Sequence, residues 1–290
     1  IAKLTGRQNH PVDNVGAPNA EEDIVIMGSG ANVVEETIET LNQQGKKYGL
    51  LKIRLFLPFP AKSFLNALPA SVKRIAILDR TKEPGSNGEP LYQIVSTTLS
   101  EALENGQIKQ CPKVIGGRYG LGSKDFTPAM VKAVFDNLAA DKPVTSFSVG
   151  IYDDVSGKSI PWDKRWNTPQ AGTFNAMFYG LGSDGTVGAN KNTAKIITDE
   201  TDKYVQAYFV YDSKKSGSMT TSHVRFGDKP IKSSYLIQQA DFIGCHNFSF
   251  LNHYNILGPM KKGGTFLLNS LFSADEVWEK LPQNVKDQII

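Results

Sequence analysis

The sequence predicts an α/β protein with two consecutive, mostly parallel open-sheet domains, of which the second is truncated. Short apolar runs alternate with segments of helical periodicity, the pattern that βαβ units produce. The length of 290 residues fits two domains of ordinary size. A stretch rich in proline and tryptophan near the middle interrupts the alternation. A domain boundary is therefore expected there.

The first domain is predicted over residues 21–150, after a polar linker arm at 1–20 that contains Pro11 and Pro18. A glycine at position 45 fits the end of the helix predicted near residues 33–41. The apolar runs predict strands at 24–27, 49–57, 74–78 and 114–117. Helices are predicted at 33–41, 63–68, 90–103 and 128–138.

The second domain is predicted over residues 171–290, after an interdomain connection at 151–170 that carries Trp162 and Trp166. It is expected to be an incomplete, gamma-like oxidoreductase domain, a description that depends on the resemblance given below. Its strands are predicted at 173–179, 204–211, 242–245 and 264–269. Its helices are predicted at 189–201, 234–240 and 275–281.

The composition argues against several classes of protein. A net charge of +3 gives no strong electrostatic attraction to nucleic acid or to an anionic membrane. No apolar run approaches the roughly 18 residues that span a bilayer, and no signal peptide is visible. Two cysteines cannot supply a disulfide framework or the four thiolates of an iron–sulfur cluster. Because the first residue is Ile1, we expect a piece of a longer polypeptide.

The glycine-rich segment at residues 180–191 is the most informative motif. Gly180, Gly182 and Gly185 satisfy the pattern G-x-G-x-x-G between a predicted strand and a predicted helix. Glycines let a phosphate approach the backbone, and the helix N-terminus offers N–H groups with a partial positive charge. The segment therefore favours a phosphate-bearing ligand, although a tight strand–helix turn without a ligand also fits.

The next predicted strand ends in Asp212, Lys214 and Lys215. In a dinucleotide-binding fold the tip of the second strand lies beside the ribose of the bound adenosine. Two lysines there favour a phosphorylated ribose, as in coenzyme A or NADP, because each ammonium stabilises a phosphate. Asp212 leaves NAD open, and a solvated lysine pair on a surface loop is the alternative without a ligand.

Other motifs give weaker signals. The segment 28–32 lacks the third glycine of the fingerprint. The segment 79–85 fits a structural ion pair, and the segment 116–125 fits packing between domains. His246 and His253 do not have the spacing of zinc ligands, and Asp153–Asp154 is a single acidic pair. No metal site and no catalytic residue is predicted in this chain.

Several motifs together resemble the pyruvate:ferredoxin (flavodoxin) oxidoreductase family. They occur in the family's order and cover the chain from Val15 onward. The motifs are LDRTKEPG at 78–85, GRYGLGSK at 117–124, the glycine-rich segment 180–191, the lysine-containing segment 211–217 and DEVWEKLP at 275–282. The family's chain is about four times longer, so the resemblance implies an internal fragment: a domain like the C-terminal domain of transketolase at 21–150, and the beginning of the gamma-like domain.

The resemblance implies oxidative decarboxylation of pyruvate to acetyl-CoA and CO₂, with single electrons passing to ferredoxin or flavodoxin. It implies thiamine diphosphate with Mg²⁺ and [4Fe–4S] clusters that are bound outside these residues. It also implies a homodimer in the cytoplasm, or in a hydrogenosome or another organelle of an anaerobic protist. The fragment alone is expected to be inactive.

The resemblance places the nucleotide of CoA against the gamma-like domain, which agrees with the phosphate site expected from the motifs. The cofactor-binding residues predicted are Gly182, Asp184, Gly185, Thr186, Lys214 and Lys215. Two other interpretations stay open: an NAD(P)-binding dehydrogenase domain and a non-catalytic α/β scaffold. A fusion in which NADP replaces ferredoxin, and the flavoprotein subunit of sulfite reductase, are related possibilities.

Overall fold

The computed structural model describes residues 2–6, 8–152, 155–169, 172–211 and 217–289. The chain divides into two compact units, one of residues 1–169 with 232–235 and one of residues 170–231 with 236–290. The first unit contains α1 (Ala2–Thr5), β1 (Val12–Gly16), β2 (Glu22–Met27), α2 (Gly30–Gln43), β3 (Tyr48–Ile53), α3 (Ala61–Ala67), β4 (Arg74–Asp79), α4 (Pro90–Glu104), β5 (Lys113–Arg118), α5 (Pro128–Ala139) and β6 (Phe147–Ser148). The second contains β7 (Thr173–Leu181), α6 (Thr186–Glu200), β8 (Tyr204–Tyr211), β9 (Met219–Gly227), β10 (Ala240–Cys245), β11 (Met260–Leu268), α7 (Ala274–Lys280) and α8 (Gln283–Ile289).

The first unit is built on a six-stranded sheet in the order β1-β3-β2-β4-β5-β6. All neighbouring strands are parallel except the edge strand β1, which runs antiparallel to β3. The central strands β2, β3 and β4 are nearly continuous apolar runs. Such runs form strands that are buried on both faces, as in sheets covered by helices on two sides. The predicted α/β class is confirmed.

Each face of this sheet packs into its own hydrophobic core. Because successive side chains of a strand point to opposite faces, Ile24 and Ile26 belong to the core that contains α2 and α5. Val25 lies between them in sequence and belongs to the other core, with residues of α3 and α4. All three side chains are fully buried. The helices thus cover both faces and leave the carboxyl edge of the parallel strands to the loops.

Residues on both sides of the predicted first domain pack with it. Residues 12–16, predicted as part of a linker arm, form β1, and Val12 is buried against β3 at Ile53. The predicted interdomain connection packs onto the first unit, with Ile160 in its core and Trp162 and Trp166 against that core. The proline and polar residues around these short apolar segments predict exposed linkers.

The second unit has a five-stranded mixed sheet in the order β11-β10-β7-β9-β8. The strands β7, β10 and β11 are parallel to one another, and β9 runs antiparallel to both of its neighbours. Strand β9 escaped prediction because it buries polar side chains, including Ser222, His223 and Arg225, rather than an apolar run.

The helix predicted at 234–240 is absent from the structure. The segment is irregular up to Gln239, and Ala240 already begins β10. Its backbone and side chains are held by long-range contacts instead of helical ones. The Tyr235 hydroxyl donates to Glu36 at 2.7 Å, and the Ile237 N–H donates to His223 Nδ1 at 3.2 Å. In the described residues no helix is long and apolar enough to cross a bilayer.

Candidate functional site

The carboxyl ends of β7 and β10 form the best candidate for a ligand-binding crevice in the second unit. The chain leaves β7 for β8 and β9 on one side and returns to β10 and β11 on the other. Strands β7 and β10 are adjacent and parallel, so that their carboxyl ends lie at the same edge of the sheet. Ligands of open α/β sheets bind at such a point of reversal in strand order.

A tight glycine-rich turn connects β7 to α6 at this crevice. Ser183 and Gly185 both have positive φ angles, of 75° and 91°, and α6 begins at Thr186. Gly180 is required because of close packing. A Cβ on this residue would collide with the Thr186 hydroxyl and approach the Asp184 carboxylate to 2.9 Å. The motif thus brings the start of the helix close against the end of the strand.

The exposed Asp184 carboxylate bridges the two ends of the turn. It accepts hydrogen bonds from the Leu181 N–H at 2.7 Å and from the Thr186 N–H at 2.8 Å. Burial raises the pKa of Asp184, but hydrogen bonds from Thr186 and Leu181 and the charge of His246 outweigh it, and the net pKa lies below its ordinary value. A negative charge therefore sits at the N-terminus of α6, where the dinucleotide fingerprint would offer N–H groups to a phosphate.

The glycine-rich turn is joined to the connection between β8 and β9. The Gly182 N–H donates to the carbonyl oxygen of Ser218 at 2.8 Å. Two predicted site residues, Lys214 and Lys215, lie in this connection but outside the described residues. The other four, Gly182, Asp184, Gly185 and Thr186, come together in the turn.

The strand order differs from the dinucleotide-binding arrangement used for the lysine prediction. Strand β8 is the edge strand, and β9 lies between it and β7. With neighbouring strands about 4.8 Å apart, the ends of β7 and β8 are separated by roughly 10 Å. Tyr211, the last residue of β8, pairs with Thr220, and Thr220 pairs with Gly180. Both strand ends nevertheless lie at the same edge of the sheet.

His246 contacts the turn, although the sequence predicts no role for it. It directly follows β10, and its Nδ1 lies 2.7 Å from the Thr186 Oγ1. Its N–H donates to the carbonyl oxygen of Tyr179 at 2.9 Å, which extends the pairing of β10 with β7. Its place in the sequence could have identified it. His246 directly follows an apolar strand, and that strand is parallel to the strand that leads into the glycine motif.

The motifs of the first unit form a second loop region, at the carboxyl ends of β4 and β5. Asp79 does not pair with its neighbour Arg80; its carboxylate accepts from the N–H groups of Leu91 and Tyr92 in the first turn of α4, at 2.9 and 3.1 Å. Arg118 instead pairs with Glu89 at 3.2 Å, and both line a cavity of about 560 Å³. The Asp79 contacts are those of a helix N-terminus held by a carboxylate.

Two family models match the chain. The model described as pyruvate ferredoxin/flavodoxin oxidoreductase matches residues 175–289. The model described as pyruvate:ferredoxin oxidoreductase core domain II matches residues 20–131. Together the matches cover more than three quarters of the 290 residues.

The chain belongs to the pyruvate ferredoxin/flavodoxin oxidoreductase family.

Named relatives in this family align with the whole chain. It is 58% identical over 289 residues to the pyruvate:ferredoxin oxidoreductase of Moorella thermoacetica, covering 100% of this chain and 24% of that protein. It is 53% identical over 286 residues to the probable pyruvate-flavodoxin oxidoreductase of Escherichia coli, covering 99% and 24%. It is 46% identical over 290 residues to the mitochondrial pyruvate dehydrogenase [NADP(+)] of Euglena gracilis, covering 100% and 16%. The chain thus spans about a quarter of the length of the first two relatives.

A solved structure in the same functional group is a more distant match. The pyruvate oxidoreductase subunit PORC of Thermotoga maritima is 21% identical, with a TM-score of 0.32. The alignment covers 38% of this chain and 57% of the subunit. At this level of similarity it carries no argument about the crevice.

Members of the pyruvate ferredoxin/flavodoxin oxidoreductase family generally use thiamine diphosphate and iron–sulfur clusters. The cysteines present here do not fit an iron–sulfur cluster. In the described ranges no three His, Cys, Asp or Glu side chains converge as metal ligands. The chain has two cysteines, and Cys245, the last residue of β10, is buried. A four-thiolate cluster therefore cannot be held by these residues.

Proposed function

We propose that this chain is a section of an enzyme that oxidatively decarboxylates pyruvate to acetyl-CoA and CO₂. Two electrons leave the substrate and pass singly to ferredoxin or flavodoxin. The family membership and the 58% identity to a pyruvate:ferredoxin oxidoreductase support this proposal. Thiamine diphosphate with Mg²⁺ and the [4Fe–4S] clusters are bound by other parts of the longer protein.

The section contributes a binding site for the nucleotide of CoA, at the glycine-rich turn. The observation that carries this proposal is the hydrogen bond from Gly182 to Ser218, because it joins the glycine motif to the connection that contains Lys214 and Lys215. These two motifs are far apart in sequence. The glycine-rich turn, the end of β8 and the start of β9 all lie at the carboxyl edge of β7.

The Asp184 carboxylate determines how the phosphates would be bound. Because it occupies the Leu181 and Thr186 N–H groups, a pyrophosphate cannot use these donors while the turn keeps its present form. Lys214 and Lys215 therefore neutralise the phosphates, while Gly182 and Gly185 allow close approach to the backbone. Asp184 and Thr186 keep the turn in place. This arrangement favours CoA over an NAD(P) dinucleotide, whose fingerprint depends on free N–H groups at the helix start.

The proposal is tested by the affinity of the intact enzyme for CoA, measured by isothermal titration calorimetry. In the double variant Lys214→Ala/Lys215→Ala we expect CoA to bind about tenfold or more weakly, since two exposed charge contacts contribute roughly 1 kcal/mol each. The control is Lys46→Ala/Lys47→Ala, an exposed lysine pair in the first unit. Equal affinity in all three proteins would reject the CoA site.

The same titration with NADP separates the alternative function. Binding of NADP by the wild type, without binding of CoA, would favour an NAD(P)-binding dehydrogenase domain. Absence of affinity for either ligand would favour a scaffold.

Three further properties belong to the proposal for the whole protein. It acts as a homodimer, it functions in the cytoplasm or in an organelle of an anaerobic protist, and the isolated 290-residue chain does not oxidise pyruvate. Pyruvate oxidation by the isolated chain, supplied with thiamine diphosphate, Mg²⁺ and CoA, would overturn the last of these.

A further inference from the structure

Strand β8 is an edge of the five-stranded sheet in the second unit. It pairs with β9 along its whole length, from Tyr204 opposite Gly227 to Tyr211 opposite Thr220. In the described residues no strand pairs with its other side. Because the backbone groups of an antiparallel strand point alternately to its two sides, every second residue of β8 directs its N–H and C=O groups away from β9. The eight residues form an edge about 27 Å long that a further strand could pair with.

The other sheet edges in the described residues have features that discourage pairing, and β8 does not. Strand β1 has five residues and carries Asp13, which forms an ion pair with Arg54, and β6 has two residues. Strand β11, the opposite edge of the same sheet, contains Lys261, Lys262 and two glycines, and its pairing with β10 changes register. Short strands, charges and irregular pairing protect edges from further strands. Strand β8 has the sequence YVQAYFVY, without a charge, a proline or a glycine.

The side chains on one face of β8 are exposed beside this edge. Helix α6 covers the opposite face, where the Lys191 ammonium lies over the Phe209 ring. Tyr204, Tyr208 and Val210 alternate with Phe209 and therefore share the other face, with 50%, 59% and 38% of their surface exposed. We call these three residues the β8 stripe. A neighbouring strand would cover it, and cross-strand pairs of aromatic and β-branched residues stabilise a sheet.

The size of the edge favours a partner in the same polypeptide. A stable complex of two separate molecules buries about 800 Å² on each side. One strand, roughly 5 Å wide along an edge of about 27 Å, covers far less. A tethered segment does not need so large a surface, since the tether gives it an effective concentration in the millimolar range. The relative from Moorella thermoacetica has such segments, because this chain covers 24% of its length.

We propose that β8 pairs, in the longer protein, with a β-strand from outside these 290 residues. This strand becomes the sixth strand of the sheet. Its backbone forms hydrogen bonds with the free N–H and C=O groups of β8, and its uncharged, apolar side chains at alternate positions pack on the β8 stripe. The polar group between the tyrosines is already engaged, because the Gln206 side chain accepts a hydrogen bond from Arg225 at 2.8 Å. The inference rests on the chain's being a section of a longer protein and is independent of the CoA site.

The first test measures amide hydrogen exchange in the intact wild-type enzyme, resolved to single residues by mass spectrometry. If β8 is paired on both sides, we expect all its amides to exchange as slowly as those of β9, which has a strand on each side. If β8 is a free edge, every second amide exchanges on the order of a hundredfold faster than the amides of β9. That alternating pattern in the intact enzyme overturns the proposal.

The second test places a charge in the β8 stripe. Tyr208→Lys brings an ammonium against the apolar side chains of the added strand, so that every second amide of β8 should exchange about tenfold or more faster. The amides of β9 should keep their wild-type rates, which shows that the sheet itself is intact. The matched control is Tyr152→Lys, at a tyrosine of the first unit that is 81% exposed. Exchange in β8 that is the same in both variants overturns the proposal.

Photo-crosslinking identifies the partner strand. The intact enzyme carries benzoylphenylalanine in place of Tyr208 and is irradiated; the control carries it in place of Tyr152. We expect a product with the mobility of a single chain on a denaturing gel, in which β8 is joined to a peptide from outside the 290 residues.

Three other outcomes overturn the proposal. They are a covalent pair of chains, which indicates a second copy at this edge, a crosslink that stays within the 290 residues, and a yield no higher than that of the control. None of these results changes the CoA titrations, so that failure of this inference is distinguishable from failure of the proposed function.

Discussion

The carboxylate of Asp184 accepts a hydrogen bond of 2.8 Å from the backbone N–H of Thr186, the residue with which α6 begins. The same carboxylate accepts from Leu181, the last residue of β7. One side chain thus closes the strand–helix turn from both ends. A glycine motif that would otherwise present N–H groups to a ligand presents a negative charge in its place. In the proposed CoA site, the groups that bind phosphate must then come from side chains outside the turn.

Replacing Asp184 with alanine should loosen this turn. Both N–H groups lose their acceptor, at a cost of about 1–2 kcal/mol, comparable to the loss of a helix N-cap. Amide hydrogen exchange at Leu181 and Thr186 should accelerate roughly five- to thirtyfold. Asp184→Asn retains an oxygen acceptor and should show a smaller change. Exchange at both amides that is unaltered by Asp184→Ala would contradict the role given to this carboxylate.

Asp23 should make the first unit less stable as the pH rises. Its carboxyl is fully buried on β2, neither oxygen has a hydrogen-bond partner in the described residues, and burial raises its pKa to about 7. The neutral form is favoured on folding. This stabilisation is complete at low pH and is lost between about pH 4, where the unfolded carboxyl titrates, and pH 7. Above pH 7 the folded state carries an unpaired buried charge.

Asp23→Asn should therefore be more stable than wild type between pH 5 and pH 8. The gain is roughly 1.4 kcal/mol for each unit by which burial raises the Asp23 pKa, and a few kcal/mol at most. The measurement is urea unfolding followed by the fluorescence of Trp162 and Trp166, which pack on the core of the first unit. Both proteins carry Trp278→Phe to remove the signal of the second unit. A difference between the two proteins that does not change with pH would contradict the assignment.

Glu36 should anchor the segment 232–235 in the first unit. Its carboxylate accepts hydrogen bonds from the Tyr235 hydroxyl at 2.7 Å, from the Ser233 hydroxyl at 2.6 Å and from the Thr168 hydroxyl. Glu36→Ala leaves the buried Tyr235 hydroxyl without this acceptor and should cost about 2–3 kcal/mol. Glu39→Ala removes an exposed ion pair with Lys232 and should cost less than about 1 kcal/mol. Equal effects in the same urea assay would mean that Glu36 is not an anchor.

Arg118 should contribute far more to the stability of the first unit than an exposed cation does. Its side chain and that of Glu89 are each only 10% exposed, and Arg118 also donates to the Ser146 carbonyl oxygen at 2.9 Å. Arg118→Ala leaves a buried carboxylate and should cost about 3 kcal/mol or more. The control is Lys132→Ala, which breaks the exposed pair with Asp136 and should cost about 0.5 kcal/mol. Similar midpoints of urea unfolding for the two variants would show that the buried pair contributes little.

The sequence predicts elements well where burial coincides with an apolar run. Strand β4 and helix α4 were expected at 74–78 and 90–103 and lie at Arg74–Asp79 and Pro90–Glu104. Strand β8 has the predicted bounds, 204–211. Strand β9 was missed because Ser222, His223 and Arg225 are polar yet buried, and an apolar pattern cannot reveal them.

The candidate site was predictable only in part. The turn from Gly182 to Thr186 follows from local glycine chemistry, and its position at the end of a strand was expected. Its internal hydrogen bonds were not, because a carboxylate at position 184 can face either a ligand or its own backbone. His246 meets Thr186 across 60 residues of sequence, through the parallel pairing of β10 with β7. Such a contact depends on strand order, which local patterns do not specify.

The most direct test of the account is an experimental structure of the intact enzyme with CoA bound. We expect the adenosine phosphates between the glycine-rich turn and the connection that carries Lys214 and Lys215. A CoA nucleotide bound at another domain, with the turn at 181–186 empty of ligand, would contradict the central claim.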